Sequence, residues 1–294
     1  MALYSPRPIK ATRQRRTRAQ VGDVKSAIYE ALKVDHPMTV RQVFYRLVSQ
    51  GMIAKTEGEY KATVVRLLSE MRRAGEIPYG WLADNTRWQR KPRTYGNLEE
   101  MLDLTARTYR RALWSEQATY VEIWLEKEAL AGVLMDVTDP WDVPLMVTRG
   151  YPSLSYLYEA AETIRAQGKP AYLYYFGDYD PSGVDIPRWT EAELRRLAPD
   201  ADIHFQRVAV TSWQIGGWHL PTRPTKTKDS RAKSFGDESV EVDAIPPATL
   251  RDMVSHHIEQ HINYRRLEAI KEIESQERAV LENVLAWWRQ GQDE

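Results

Sequence analysis

The stretch YLYYFGDYDPSG, from Tyr172 to Gly183, joins five strand-forming residues to a glycine and then to two aspartates separated by one residue. Aromatic side chains favour strands, and glycine and proline mark where a strand ends. Asp178 and Asp180 are therefore predicted to follow a strand, where an extended chain directs both carboxylates to one side. Paired carboxylates suit Mg²⁺, because a cation between them removes their repulsion and hard oxygens are its preferred ligands. A solvated turn is the alternative, since aspartate is a common turn residue.

A second acidic residue occupies the same kind of position. Residues 120–125 are typical of a strand that ends at Glu126, and residues 127–135 are typical of a short helix. A third strand over residues 143–147 precedes an amphipathic helix with Leu157, Ala160, Ala161 and Ile164 on one face. Alternating strands and helices predict a parallel α/β sheet, in which ligands bind at the carboxyl ends of the strands. Glu126, Asp178 and Asp180 all fall at that edge.

These motifs, in this order, resemble a known domain. LEKEAL, TRGYPS and FGDYDPSGVDI are similar to the Toprim domain, and most similar to its version in topoisomerase VI A subunits and the related meiotic double-strand-break transesterase. The resemblance covers about 100 residues. It implies that Glu126, Asp178 and Asp180 bind Mg²⁺.

Composition excludes several other classes of protein. This chain of 294 residues contains no cysteine, so disulfides, cysteine-ligated zinc and thiol catalysis are excluded. No apolar run is long enough to span a membrane, and the first twenty residues are too polar and basic for a signal peptide. We therefore expect a cytoplasmic protein without membrane association.

The net charge of zero conceals an asymmetry. Residues 1–118 hold 22 Lys and Arg against 12 Asp and Glu, whereas residues 119–294 hold 19 against 29. A basic part beside an acidic, metal-requiring part predicts that one binds a polyanion and the other processes it. Ordinary scatter of charge between domains is the alternative.

Basic residues cluster in two segments that we predict to contact DNA phosphates. Residues 1–20 contain no acidic residue and are interpreted as a flexible basic arm, although a solvated terminus would have the same composition. Residues 220–236 form a second basic segment, which could equally be a solvated surface loop. The predicted DNA-binding residues are Arg13, Arg15, Arg16, Arg18, Arg223, Lys226 and Lys228.

The amino-terminal part is typical of a winged helix-turn-helix. Thr39 and Gln42 form a capping box before a helix whose apolar stripe includes Val43 and Phe44. Tyr45 lies on the neighbouring stripe, one turn after Arg41, and is predicted to be at least partly exposed. Helices on either side, and a short strand pair over residues 76–84, complete the predicted DNA-binding unit.

The resemblance extends to RQVFY, residues 41–45, which is similar to the segment that carries the nucleophilic tyrosine in topoisomerase VI A subunits. It implies that Tyr45 attacks a phosphodiester of double-stranded DNA and that the protein is a homodimer. A free phenol has a pKa of about 10 and is a poor nucleophile at neutral pH without a base or a nearby positive charge, and Arg41 is the nearest candidate for that charge. An amphipathic tyrosine at a core edge is the alternative. Topoisomerase VI also needs an ATPase subunit, and this chain has no GxxxxGK[ST] motif, so a separate ATPase is a possible partner.

Two rival functions stay open at this point. One is a Toprim hydrolytic nuclease in which water replaces Tyr45, and the other is a non-catalytic DNA-binding protein. In every case the expected fold is α/β, an N-terminal winged helix-turn-helix plus a Toprim-like parallel sheet with C-terminal helices. The predicted divisions are a basic arm (1–20), a winged helix (21–90), a helical linker (91–118), a Toprim domain (119–215), and a basic loop with C-terminal helices (216–294).

Overall fold

A computed structural model of the protein describes residues 16–83, 92–225 and 235–291. Its centre is a sheet of four parallel strands: Tyr120–Leu125 (β1), Leu145–Val147 (β2), Ala171–Phe176 (β3) and Ile203–Ala209 (β4). The strands lie in the order β2-β1-β3-β4. The predicted parallel α/β sheet is therefore confirmed, and β1, β2 and β3 each begin within two residues of their predicted positions.

Helices cover both faces of the sheet. The sheet helices are Ala131–Thr138 (α6), Leu154–Gln167 (α7), Pro181–Leu197 (α8), Pro247–Glu259 (α10) and Tyr264–Gln290 (α11). Alternate residues of β1 point to opposite faces, so that Ile123 packs with α6, α10 and α11, whereas Trp124 packs with α7 and α8. The stripe predicted for α7 is buried at all four positions. The result is a three-layer α/β/α arrangement.

The amino-terminal helices form a second apolar core. Its helices are Arg18–Val34 (α1), Val40–Ser49 (α2), Glu57–Glu59 (α3) and Arg66–Arg73 (α4), with a π-helical segment, Tyr60–Val65, between the last two. The capping box predicted at Thr39 and Gln42 is confirmed. A second box, at Thr17 and Gln20, begins α1, so the last residues of the predicted flexible arm are helical.

The strand pair predicted over residues 76–84 is wrong for the residues that are described, which end at Ala83. Tyr79–Trp81 forms a 3-10 turn instead, and the one bridge here pairs Met38 with Leu82 in a parallel sense. Trp81 stacks on His36 with ring centroids 5.0 Å apart. Trp81 also packs against Tyr29 of α1, so the segment folds back onto that helix and does not form a strand pair.

The described part of the chain also forms two more α-helices and a two-stranded ribbon. Leu98–Thr108 (α5) packs along α11, where Tyr109 donates a hydrogen bond to Glu277 at 2.6 Å. Ser212–Gly217 (α9) follows the sheet, and Arg223–Pro224 (β5) pairs with Glu238–Ser239 (β6) in an antiparallel ribbon. Among the described residues, we find no helix with the length and apolar character needed to cross a lipid bilayer.

Glu122 in β1 gives the first testable prediction. This carboxylate is almost fully buried, accepting hydrogen bonds from the Tyr120 hydroxyl at 2.9 Å and from Trp124 Nε1 at 2.7 Å. Burial raises its pKa to about 7 despite those two bonds. Because the folded pKa lies above the unfolded one, the protein loses stability as the pH rises from about 4.5 to 7.

Glu122→Gln should remove that loss. We expect the variant, relative to wild type, to gain up to about 3 kcal/mol of unfolding free energy between pH 5 and pH 8. Urea unfolding at the two pH values measures the gain. An equal difference between the two proteins at both pH values would contradict the prediction.

Candidate functional site

The three carboxylates predicted to bind metal follow the central strands at their carboxyl ends. Glu126 comes directly after β1, and its amide donates to the Phe176 carbonyl at 2.9 Å. The Asp178 amide donates to Glu126 Oε2 at 3.0 Å, so the two residues are direct neighbours. Asp180 caps α8 by accepting the Gly183 amide at 2.7 Å. The parallel register of β1 and β3 thus brings these positions to one edge of the sheet, as predicted.

Arg207 of β4 holds the loop that carries the aspartates. Its guanidinium donates to the carbonyls of Gly183 at 2.6 Å, Gly177 at 3.3 Å, and Asp178. A side chain at Gly177 would place its Cβ 2.5 Å from Glu126 Oε2, so only glycine fits between the loop and that carboxylate. One buried cation and one glycine therefore fix the position of the loop.

Lys127 supplies the central positive charge of the site. Its Nζ lies 2.7 Å from Asp243 Oδ2, 3.0 Å from Asp178 Oδ1 and 3.7 Å from Glu241 Oε2. Asp178 Oδ1 also accepts the Val242 amide at 2.9 Å. Residues 241–243, which begin the 3-10 turn Val242–Ala244 before α10, are therefore joined to the loop of the paired aspartates through one lysine.

The acidic residues fall into two electrostatic groups. Burial, together with the charge of Asp178, raises the pKa of Glu126 to about 7, and burial also raises the pKa of Asp178. Burial opposes the charged form of Glu241 too, but the cations of Lys127 and Arg223 outweigh it and lower the pKa. At Glu126 the neighbouring cations do not outweigh burial, so an added cation would stabilise its charged form.

Tyr45 is predicted to be partly exposed, and this prediction is wrong. The side chain is only 5% exposed, and its hydroxyl donates to Glu241 Oε2 at 3.2 Å. The stripe of α2 that carries Tyr45 is covered by the turn at residues 241–243, which lies nearly 200 positions away in the chain. Burial and the Glu241 carboxylate raise the pKa of the phenol, against the opposing charge of Lys127.

Arg41 lies one turn before Tyr45, as predicted, and faces the same carboxylate. Its Nε is 3.4 Å from Glu241 Oε2, and its NH1 is 3.4 Å from Glu57 Oε2. The guanidinium lies 3.9 Å from the centroid of the Tyr60 ring, a cation–π contact. Arg41 is therefore placed where its charge acts on the Tyr45 hydroxyl.

Two further cations complete the cluster. Arg223 bridges its acidic groups, with NH1 2.6 Å from Glu241 Oε1 and NH2 3.3 Å from Asp180 Oδ2. Lys55 Nζ lies 5.3 Å from the centroid of the Tyr45 ring, and burial lowers the pKa of this lysine to about 8. A continuous set of contacts therefore runs from Tyr45 through Glu241 and Arg223 to Asp180.

The carboxylates suit Mg²⁺ in kind, but their present partners are protein cations. Among the described residues, no three acidic or histidine side chains surround one point closely enough to hold a metal ion. Lys127 engages Asp178, and Arg223 engages Asp180. Glu126, by contrast, carries a raised pKa and no ion pair within the described part of the chain. The three carboxylates supply the hard oxygen ligands that Mg²⁺ prefers, but they would have to move closer together, and Arg223 would have to leave Asp180, before they could hold the ion.

The residues predicted to contact DNA are dispersed. Arg16 donates to Glu59 Oε2 at 2.7 Å, Arg18 is exposed at the start of α1, and Arg223 belongs to the acidic cluster. Arg16 and Arg223 are therefore engaged by carboxylates of the protein itself, whereas Arg18 is open to solvent. The other four positions lie outside the described residues: Arg13, Arg15, Lys226 and Lys228.

Sequence reasoning missed several residues of the site. Lys127 directly follows Glu126 in LEKEAL, and a lysine beside a predicted metal ligand was an available signal. Glu241 and Asp243, in the segment EVDA, stand in no motif that links them to the paired aspartates. Arg207, a charged residue inside a strand, was the third signal, since buried cations need partners.

Comparison with known proteins identifies no relative: no protein-family model matches the chain, and neither does any curated protein.

Proposed function

We propose that this protein is a Mg²⁺-dependent DNA-cleaving transesterase in which Tyr45 is the nucleophile, similar to topoisomerase VI A subunits. One observation carries the proposal: the Tyr45 hydroxyl donates to Glu241, whose other partners include Lys127, which contacts Asp178, and Arg223, which contacts Asp180. The tyrosine implied as nucleophile and two of the implied metal ligands, distant in sequence, thus belong to one network. The finer fold, a Toprim domain joined to a helix-turn-helix unit, is part of the same proposal.

The chemical step is an exchange of one phosphate ester for another. The Tyr45 oxygen attacks phosphorus, one P–O bond of the DNA backbone breaks, and a phosphotyrosyl ester forms. Glu241 already accepts the phenolic hydrogen bond and is placed to receive the proton, while the departing DNA oxygen takes a proton from water. Lys127, Arg41 and Arg223 are the cations whose charges act on Tyr45, and they would stabilise the negative charge that develops on the phosphate.

Mg²⁺ would be held by Glu126, Asp178 and Asp180. When bound, it supplies a positive charge that polarises the phosphate and orients the backbone. The chain's own contribution is to fix the carboxylates: Arg207 sets the loop that carries the aspartates, and Lys127 orients Asp178. A phosphate that attracts Arg223 would free Asp180, so DNA and metal binding should support each other.

One specific observation favours a second candidate function, hydrolysis by water. The phenol of Tyr45 is buried, and its raised pKa disfavours the phenolate that attacks phosphorus most readily. Glu126, Asp178 and Asp180 could then hold the metal ion of a hydrolytic nuclease.

Radiolabelled double-stranded DNA and a denaturing gel separate the two functions. Label that stays attached to the protein in Mg²⁺, and is absent with EDTA, supports the transesterase. Metal-dependent nicks without attached label would assign hydrolysis instead. Neither product, on linear and supercoiled DNA alike, would contradict both.

The resemblance also implies a homodimer and a separate ATPase subunit. In the resembled family the tyrosine of one protomer meets the metal site of the other, whereas here Tyr45 contacts Glu241 of its own chain. Because the network that carries the proposal lies within one chain, we propose that Tyr45 acts beside the carboxylates of its own chain, and the homodimer rests on the resemblance alone.

The basic arm gives a prediction about DNA affinity. Deleting residues 1–15 removes four basic residues and leaves the capping box that begins α1. We expect weaker binding to every DNA sequence, and a slope of log K against log salt that is smaller by about 0.9 for each lost phosphate contact. Anisotropy titrations at several salt concentrations measure the slope, and an unchanged slope would show that these residues do not contact DNA.

A further inference from the structure

A cavity of about 390 Å³ lies directly beside Tyr45. We call it the α2 cavity; it is enclosed by α1, α2, residues 218–221 and residues 243–249. Most of its wall is apolar, and the cavity has the size and character of a small-molecule site. Apolar lining residues include Ala31, Met38, Leu220, Pro221, Ile245 and Pro246.

One buried donor in this wall has no partner. Gln42 lines the cavity and is 2% exposed. Its Oε1 accepts the Thr39 amide at 2.9 Å, which completes the capping box, but its Nε2 forms no hydrogen bond with any described residue. Leaving a buried amide donor unpaired costs free energy, so such a group commonly marks the place of a ligand or bound water. A ligand that reaches this amide would have to present an acceptor atom.

Two other lining residues indicate which further chemical groups the ligand carries. Trp218, which follows α9, is partly exposed and presents an aromatic surface, with its ring centroid 6.1 Å from that of Trp213. Arg46 also lines the cavity, is exposed, and forms no ion pair within the described part of the chain. An aromatic wall, a buried donor and an exposed cation together suit a flat heterocycle that carries an anionic group.

We propose that the α2 cavity binds one nucleotide, with its base between the apolar walls and its phosphate at Arg46; this rests on the proposed DNA-cleaving function. Every nucleobase has an acceptor on its edge that could meet Gln42 Nε2, and every base has a face that stacks on an indole. The cavity adjoins Tyr45, so a base unstacked next to the attacked phosphate would reach it. The nucleotide comes either from the bound strand or from solution.

The test compares two labelled single strands in EDTA by fluorescence anisotropy. A short oligothymidine and an abasic oligomer of the same length carry the same number of phosphates, so the electrostatic part of binding is matched. We expect wild-type protein to bind oligothymidine at least about tenfold more tightly. No cleavage takes place in EDTA, so this result is independent of whether Tyr45 forms a covalent adduct.

Two variants then assign the difference to the cavity. Gln42→Glu keeps the oxygen that caps α2 and replaces the unpaired donor by an acceptor. Trp218→Ala removes the aromatic wall, and Trp287→Ala, which removes an exposed tryptophan of α11 outside the cavity, is its matched control. Both cavity variants should lose most of the preference for oligothymidine, whereas the control should retain it.

Competition with thymidine monophosphate distinguishes the two sources. Displacement of oligothymidine from wild type but not from Gln42→Glu would support a free nucleotide as occupant, and failure to displace it would support a base of the bound strand. Equal affinity of wild type for the two oligomers, or a preference that survives in both cavity variants, would overturn the proposal.

Discussion

Tyr45→Phe is expected to abolish the covalent protein–DNA adduct and to slow cleavage at least a thousandfold, on the order of the loss seen when a nucleophile is removed. The substitution takes away only the oxygen that attacks phosphorus. DNA affinity should not change, because the basic residues that carry binding are untouched. The adduct is measured on a denaturing gel, and cleavage is measured by the nicking of supercoiled plasmid.

The same variant should be measurably less stable. The Tyr45 hydroxyl donates to a buried carboxylate, and hydrogen bonds to charged groups contribute about 1.5–3 kcal/mol. Tyr29→Phe is the matched control, since Tyr29 is a partly exposed tyrosine of the same helical unit, remote from Glu241. Cleavage by Tyr45→Phe at the wild-type rate, with free DNA ends, would reject the transesterase and assign the attack to water.

Asp178→Asn should lower Mg²⁺-dependent cleavage by at least about a thousandfold, because a metal ion supplies several kcal/mol of transition-state stabilisation. Asparagine retains an oxygen that can accept the Val242 amide and Lys127, so the fold around the turn at residues 241–243 should persist. Alanine would instead remove one ion-pair partner of Lys127. A loss of activity could then come either from lost metal binding or from a disturbed structure.

Thermal unfolding gives a second readout that does not need activity. Mg²⁺ should raise the Tm of wild type by mass action and should have little effect on Asp178→Asn. Asp200→Asn, an exposed aspartate in the turn before β4, is the control and should behave as wild type. If Asp178→Asn cut DNA normally, or if Mg²⁺ stabilised it as much as wild type, Asp178 would not be a metal ligand.

The sequence by itself determined the sheet and the positions of its acidic edge. Strand signals and turn residues are local, so YLYYFGDYDPSG predicted both β3 and the placement of Asp178 and Asp180 after it. The position of Glu126 was predicted by the same reasoning, because parallel strands align their carboxyl ends. The capping box at Thr39 was equally local, since its hydrogen bonds span only three residues.

Only the tertiary structure decided what covers α2 and how the charges pair. Helical periodicity separates an apolar face from a polar one, but it does not show which distant segment packs on the polar face. Tyr45 is buried because the turn that carries Glu241 packs on it. Lys127 pairs with Asp178, and Arg223 pairs with Glu241 of that turn. The contact between Tyr45 and Glu241 joins residues nearly 200 positions apart, and the ion pairs depend on distances that no local pattern encodes.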